Sequence, residues 1–553
     1  MHAGELTCEA VTMCFIRRSR RLGLLQLNAV TEELYDEALE AAQALDRSGR
    51  LLTTDLDDPD LPLLGLPVSI KDSIEQRGTM STCGVACRLR LIYKEDGLLV
   101  SLMRTAGAIP YVRSNVPQLL MMSETDNRIF GRTLNPWSPL RGAGGSSGGE
   151  GALIASRASP LGLCSDIGGS IRIPANFCGT VGFKPTPERM TMKGLAIARA
   201  GGKVGQRIIR ATAGPMANCV ADCELAMRSL CGTHVSQQDS YVPPTPWSTD
   251  VARRGLGRPL RIGVLHSDQW FRPCTAIERG IREAAATLQD AGHEVVQFSV
   301  PDEASGWDVC RQYYGQLGSE GNMAGFVAAL QGERLLGCYK RLKTMSDMPN
   351  IVRPLLARIL DLLGHRRHAS LLKVTRSGGL NVKQYWGLVG DHYALRNAYM
   401  QAMQDARLDA LLLPAAAVAA LPHGASTDLT PVLSYMFLAN LLHWPAGVVP
   451  VTAVREHEQC YHDDAALPSD QRCILAAKAR QAMEGSAGLP IDLQPFRKPV
   501  HVPLCMMLSQ IMTLPWQDEL CLYTMAELER AVAASNVKGG AAERAFVPPM
   551  AGL

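Results

Sequence analysis

Residues 142–186 read GAGGSSGGEGALIASRASPLGLCSDIGGSIRIPANFCGTVGFKPT, and this glycine crowding is what most constrains the chain. Two serine-bearing glycine runs fall inside it, Gly144-Gly145-Ser146-Ser147-Gly148-Gly149 and Gly168-Gly169-Ser170. Glycine has no Cβ, so the backbone around such a serine can approach another segment or a ligand closely. Amides exposed in this way can be aimed at a developing negative charge, which is how an oxyanion hole is built. Upstream, Pro67-Val68-Ser69-Ile70-Lys71-Asp72 puts a lysine at the end of a short apolar run. Two serines and a lysine in these settings point to a Ser-Ser-Lys hydrolase.

Competing chemistries fit less well. A tight turn alone is the plain alternative for Gly144–Gly149. A phosphate-binding loop would need Gly-Lys-Ser/Thr to follow, and none does. Gly144-x-Ser146-x-Gly148 has the nucleophile-elbow pattern, but the elbow must follow an apolar strand, and Asn135–Arg141 is proline-rich and polar. His457 and His462 are one residue too far apart for a zincin pair, about 140° around a helix. Cys83/Cys87 and Cys219/Cys223 are spaced C-x3-C with no histidines at zinc spacing, so the sixteen cysteines read as free thiols. No metal or cofactor is expected.

At 553 residues, length alone suggests three or four domains. The composition, 46% apolar and 20% charged, is that of a soluble globular protein. Lys plus Arg number 56 against 53 Asp plus Glu, so no basic field exists to hold nucleic acid. No apolar run of about 18 residues occurs, and Glu5 and Glu9 interrupt the N-terminus, so neither a transmembrane helix nor a signal peptide is expected. Residues 5–48 read as helices, and Leu64–Ile70 and Ala106–Val112 as strands, the second after a helix at Leu98–Thr105. Leu260–Leu265, a helix over Ile277–Ala291 and Gly292–Phe298 form a β-α-β pattern, while Ala410–Pro414 and Ala446–Val454 add buried strands. The class is α/β with a mostly parallel or mixed sheet.

Asn115-Val116-Pro117-Gln118, Asn135-Pro136-Trp137, Gly148–Ile154, Trp444–Pro450 and Leu514-Pro515-Trp516-Gln517 join the serine runs in one ordered set. Over roughly residues 5–530 the chain resembles the amidase signature family, and within it the fatty acid amide hydrolases. The resemblance implies one catalytic domain over residues 1–535, with a large mixed central β-sheet surrounded by helices and a helical membrane-facing cap. It makes Ser170 the nucleophile, Ser146 the bridging serine and Lys71 the base, with a cis Gly145–Ser146 peptide. It assigns the oxyanion hole to the amides of Ile167, Gly168, Gly169 and Ser170, and places Leu120, within Leu119–Met122, on the acyl channel. Asp166 and Arg172 flank that loop with opposite charges and are expected to pair. Lysine serves as a base only when neutral, so bringing it from about 10.4 to about 7 requires burial away from carboxylates.

The implied reaction is hydrolysis of a lipid amide to free fatty acid and amine, by a homodimer at a membrane surface. The implied location is an endomembrane such as the endoplasmic reticulum, with the protein peripheral or monotopic on the cytosolic face. In residues 351–372, IVRPLLARILDLLGHRRHASLL, Arg353, Arg358, Asp361, His365 and His368 recur at roughly helical spacing and leave a broad Leu/Ile face with a mainly basic edge, the pattern of an interfacial helix. Two stretches depart from the family. Pro495–Ile511 has three prolines and reads as an inserted surface loop, and residues 536–553 as an unpacked tail. Two other classes stand beside this reading. A glutamyl-tRNA amidotransferase A-type subunit is opposed by the neutral charge and the apolar 351–372 segment. A catalytically dead binding protein is opposed by intact Lys71, Ser146 and Ser170.

Overall fold

The computed structural model describes residues 1, 3–55, 58, 60–196, 206–374, 376–462, 473–487 and 506–538. Eleven strands among them join in one sheet. They are β1 Val30–Glu33, β2 Pro67–Lys71, β3 Ile109–Ser114, β4 Leu161–Asp166, β5 Val181–Lys184, β6 Thr212–Ala217, β7 Arg261–Val264, β8 Glu294–Gln297, β9 Ala410–Pro414, β10 Ala446–Ala453 and β11 Met506–Met512. Their order is β1-β3-β2-β4-β6-β5-β10-β11-β9-β7-β8. Pairing is parallel for β2 with β3 and β4 and for β7 with β8 and β9. The remaining pairs are antiparallel. The sheet is therefore mixed, as expected, with a parallel block on either side of an antiparallel centre.

Side chains alternate along a strand, so the sheet separates two apolar cores. Leu411 and Leu413 of β9 and Val448 of β10 pack on one side, whereas Leu412 and Val449 pack on the other. The first side is covered by the wholly buried helix Ser434–Leu442, and the second by the helix Asp518–Lys538. Helices Cys8–Arg18 and Tyr35–Ser48 lie in the stretch 5–48 read as helical, but β1 interrupts it at Val30–Glu33, paired with β3. The helix Thr275–Asp290 links β7 to β8 as the β-α-β pattern predicted.

The Pro495–Ile511 expectation is corrected. Residues 495–505 lie outside the described residues, but Met506–Ile511 are not a surface loop. They make up most of β11, which lies between β10 and β9 and is antiparallel to both. Gln510 pairs with Val448 on one side and Leu413 on the other. Without this strand, β10 and β9 would each leave an unpaired backbone edge inside the molecule. The three prolines all precede the strand and so do not interrupt its ladder. Of the 536–553 tail, residues 536–538 close the helix Asp518–Lys538, and 539–553 lie outside the described residues.

Residues 351–372 form two helices, Arg353–Leu362 and Arg366–Val374, broken at Gly364 with φ +83°. The Leu/Ile face is open, with Leu355 63% and Leu362 88% exposed and Ile359 and Leu363 exposed beside them. The basic edge is corrected. Arg353 turns inward and donates to the carbonyls of Met345, Ser346 and Met348, and Arg367 donates to Trp270 O at 2.6 Å. His368 is buried too. Long guanidinium side chains reach backbone carbonyls of the segments they pack on, the end of one helix for Arg353 and a loop for Arg367, and that outweighs the helical spacing that would put them at a rim. Arg358 and Arg366 remain outside.

Candidate active site

Lys71 ends β2, and β4 runs parallel beside it into the loop Ile167-Gly168-Gly169-Ser170. The carboxyl ends of neighbouring parallel strands are where open α/β sheets leave room for a ligand. Lys71 Nζ lies 2.8 Å from Ser146 Oγ, 3.0 Å from Ser165 Oγ and 3.3 Å from Ser165 O. Its side chain is buried, and desolvation lowers the ammonium to about 8.

The carboxyl groups of Asp166 and Glu150 act to raise Lys71 again, but by less than burial lowers it. Burial works to raise Asp166, but the Arg172 guanidinium on both its oxygens, at 3.0 and 3.1 Å, holds it well below the usual carboxylate range. Arg172 is in turn fixed by Asn440 Oδ1 at 2.7 Å, Met436 O at 2.9 Å and Gln510 Oε1 of β11 at 2.8 Å. Burial pushes Glu150 up to about 7, with Ser69 Oγ donating to it. The expected Asp166–Arg172 pair is thus present, and it anchors the loop to the central strand.

The two serine runs are stitched together. The Gly145–Ser146 peptide is cis. Thr125 Oγ1 donates to Gly144 O at 2.9 Å and accepts from Gly148 N–H at 3.1 Å, and Ser147 N–H donates to Ser170 O at 3.2 Å. A Cβ on Gly145 would fall 2.4 Å from Met122 O, so only glycine fits there. In the second run Gly169 N–H donates to Asp166 Oδ1 at 2.8 Å. Among the described residues the amides of Ile167, Gly168 and Ser170 have no acceptor. The four amides assigned together from sequence therefore divide into three that are open and one, Gly169, committed to the loop's own carboxylate.

Above this floor lies a cavity of about 630 Å³, lined by Ser146, Ser170, Ile167, Gly168 and an apolar wall that includes Leu119–Met122, Met190, Phe326, Met345 and Phe437. Leu120 is on that wall, where the resemblance put it. Sequence reasoning missed Thr125, Glu150, Ser165, Asn440 and Gln510. Ser165 and Glu150 become visible only once β4 is known to lie beside β2, and Gln510 only once β11 is known to be central.

The amidase family profile matches residues 11–522. The chain is 33% identical over 544 residues to a pig protein named fatty-acid amide hydrolase 1, covering 96% of this chain and 84% of that one. It is 31% identical over 462 residues to Amidase 1 of Gibberella moniliformis, covering 81% and 79%. A solved structure of a fatty acid amide hydrolase superposes with a TM-score of 0.76 at 24% identity, over 96% of this chain and 83% of that one, which shows a shared fold. A profile match across most of the sequence, with relatives above 30% identity covered to 84% and 79% of their own length, makes this chain a member of the amidase signature family of amidohydrolases.

Proposed function

We propose that this chain hydrolyses fatty acid amides, N-acylethanolamines and primary amides among them, through a Ser170–Ser146–Lys71 triad. Ser170 Oγ attacks the carbonyl carbon as its proton passes to Ser146, whose own proton passes to neutral Lys71. Collapse of the tetrahedral adduct returns a proton along the same route to the departing nitrogen, leaving an acyl-serine that water then hydrolyses. The observation that carries the reading is a buried, weakly basic lysine 2.8 Å from Ser146, under an apolar cavity of about 630 Å³. Cavities of about 300–1,000 Å³ hold largely buried ligands, and methionines give a wall that adapts to a flexible chain. The exposed Leu355, Ile359, Leu362 and Leu363 supply an apolar surface for docking on a membrane, from which a long acyl chain can enter.

Similarity to a protein of Emericella nidulans named acetamidase, 31% identical over 460 residues, favours a second reading, hydrolysis of short amides. The test compares a C18 primary amide with acetamide, and labelling by a lipid-like fluorophosphonate, in wild type and Ser170→Ala. The expected result is a large kcat/KM preference for the C18 amide, with hydrolysis and labelling both abolished by Ser170→Ala. A preference for acetamide would move the protein to the second reading. Labelling that survives Ser170→Ala would remove Ser170 as nucleophile.

A further inference from the structure

Tyr313 belongs to the helix Gly306–Leu317 and is 8% exposed. Its ring stacks on Phe437, centroids 4.1 Å apart and planes within 2°, and meets Tyr314 edge-on at 5.6 Å. These contacts fix the ring, and with it the position of the hydroxyl. A Cβ on Gly168 would fall 1.8 Å from Tyr313 Oη, so the hydroxyl rests against the Gly168 backbone. Tyr313, Gly168, Ser146 and Ser170 line the same cavity. Among the described residues no group donates to Tyr313 Oη or accepts from it. A buried tyrosine hydroxyl normally has a partner, because one left unmade is costly. One that faces a ligand cavity can find that partner in the ligand. Burial pushes the phenol up, so it remains a donor across the working pH range.

We propose that Tyr313 O–H donates to the oxygen of the scissile carbonyl and completes the oxyanion hole alongside the amides of Ile167, Gly168 and Ser170. It takes the place of the Gly169 amide, which Asp166 already occupies. The proposal rests on Ser170 being the nucleophile. As the Oγ–C bond forms, the carbonyl π pair moves onto the oxygen, and the Tyr313 hydrogen bond strengthens with the charge while its proton stays in place. Such a donor acts on the transition state more than on the bound substrate, so it raises kcat and leaves KM nearly unchanged. It reads the carbonyl oxygen and not the leaving group, so a C18 amide and the matching methyl ester depend on it equally.

Tyr313→Phe keeps the ring and its stack on Phe437, and removes only the hydroxyl. Expected is a fall in kcat of about 10- to 100-fold on both the C18 amide and the ester, at unchanged KM. Affinity for a C18 trifluoromethyl ketone, which forms a tetrahedral adduct with a serine, should fall by the same factor. Affinity for the unreactive C18 alcohol should not change. The ratio of ketone to alcohol affinity is read on folded protein alone, so partial misfolding of the variant does not mask the result. A wild-type kcat and ketone affinity in Tyr313→Phe would overturn the assignment. So would equal weakening of ketone and alcohol, which would make Tyr313 a wall residue. Ser170→Ala runs in parallel. If it stays active, the nucleophile reading has failed, whereas an inert Ser170→Ala beside an unimpaired Tyr313→Phe removes Tyr313 alone.

Discussion

The cavity floor and the helix pair at residues 353–374 use the same residue types to opposite ends. On the floor, Arg172 is wholly buried and each of its hydrogen-bonding groups has a named acceptor, so the loop it holds has one available shape. In the helix pair, Arg353 and Arg367 are spent on the carbonyls of Met348 and Trp270, while Leu355, Leu362 and Leu363 of the outer face are more than half exposed. The difference teaches where sequence change should be felt. A loop held in one shape on all sides fails when one atom is added. A face without partners can change composition and keep its fold.

The comparison can be pressed hardest at Gly145. An added methyl would meet the backbone oxygen of Met122 at 2.4 Å and Glu124 N at 3.1 Å, and backbone cannot swing aside as a flexible side chain can. Gly145→Ala should therefore displace Ser146 and lower kcat/KM on a C18 amide by about 100-fold or more, since small misplacements near the chemistry have effects of that order. Steady-state kinetics on the purified variant check this, and near-wild-type activity would mean the loop tolerates rearrangement.

A smaller effect should come from pH. Lys71 must be neutral to accept a proton, and burial lowers its ammonium to about 8. The active form is thus lost as pH falls through about 8, and kcat/KM should drop about tenfold per unit below that point and level off above it. A profile flat between pH 6 and 9 would remove Lys71 from the proton path.

The smallest effect belongs to the outer helix face. Replacing Leu355, Ile359 and Leu363 with serine should change stability by only about 0.5 kcal/mol per site, as for most exposed positions. Hydrolysis of a C18 amide in anionic liposomes should fall about threefold or more as surface partitioning weakens, while a soluble short amide is turned over unchanged. Equal losses on both substrates would show that these leucines support the core.

What the sequence disclosed follows the same division. Ser146, Ser170 and their glycines were legible because close backbone approach leaves a mark in residue type. Lys71 was legible because a lone cation at the end of an apolar run is conspicuous. β7, β8, β9 and β10 were legible as apolar runs bounded by turns. Met506–Met512 was not, because a short apolar stretch behind three prolines carries no mark of having two strand neighbours. The inward turn of Arg353 was hidden for a related reason: helical spacing gives the face of a Cα, not the reach of a long side chain. Gly169 was grouped with its neighbours because sequence cannot say which amide of a loop is already taken.

The sheet order also has a consequence for how the molecule comes into being. β2 and β4, which carry Lys71 or lead into the Ser170 loop, are made before β5 to β11, and β2 can pair with β3 and β4 at once. The block β9-β7-β8 can form later as a separate unit, but among the described residues only β11 bridges it to β10, and β11 is made after both. Between the completion of β10 at Ala453 and the start of β11 at Met506 the nascent chain holds two partial sheets with facing open edges, the state in which strands recruit wrong partners. The arginine that shapes the catalytic loop also waits for Gln510. Assembly of the site is therefore timed by β11, although Lys71, Ser146 and Ser170 are made far ahead of it.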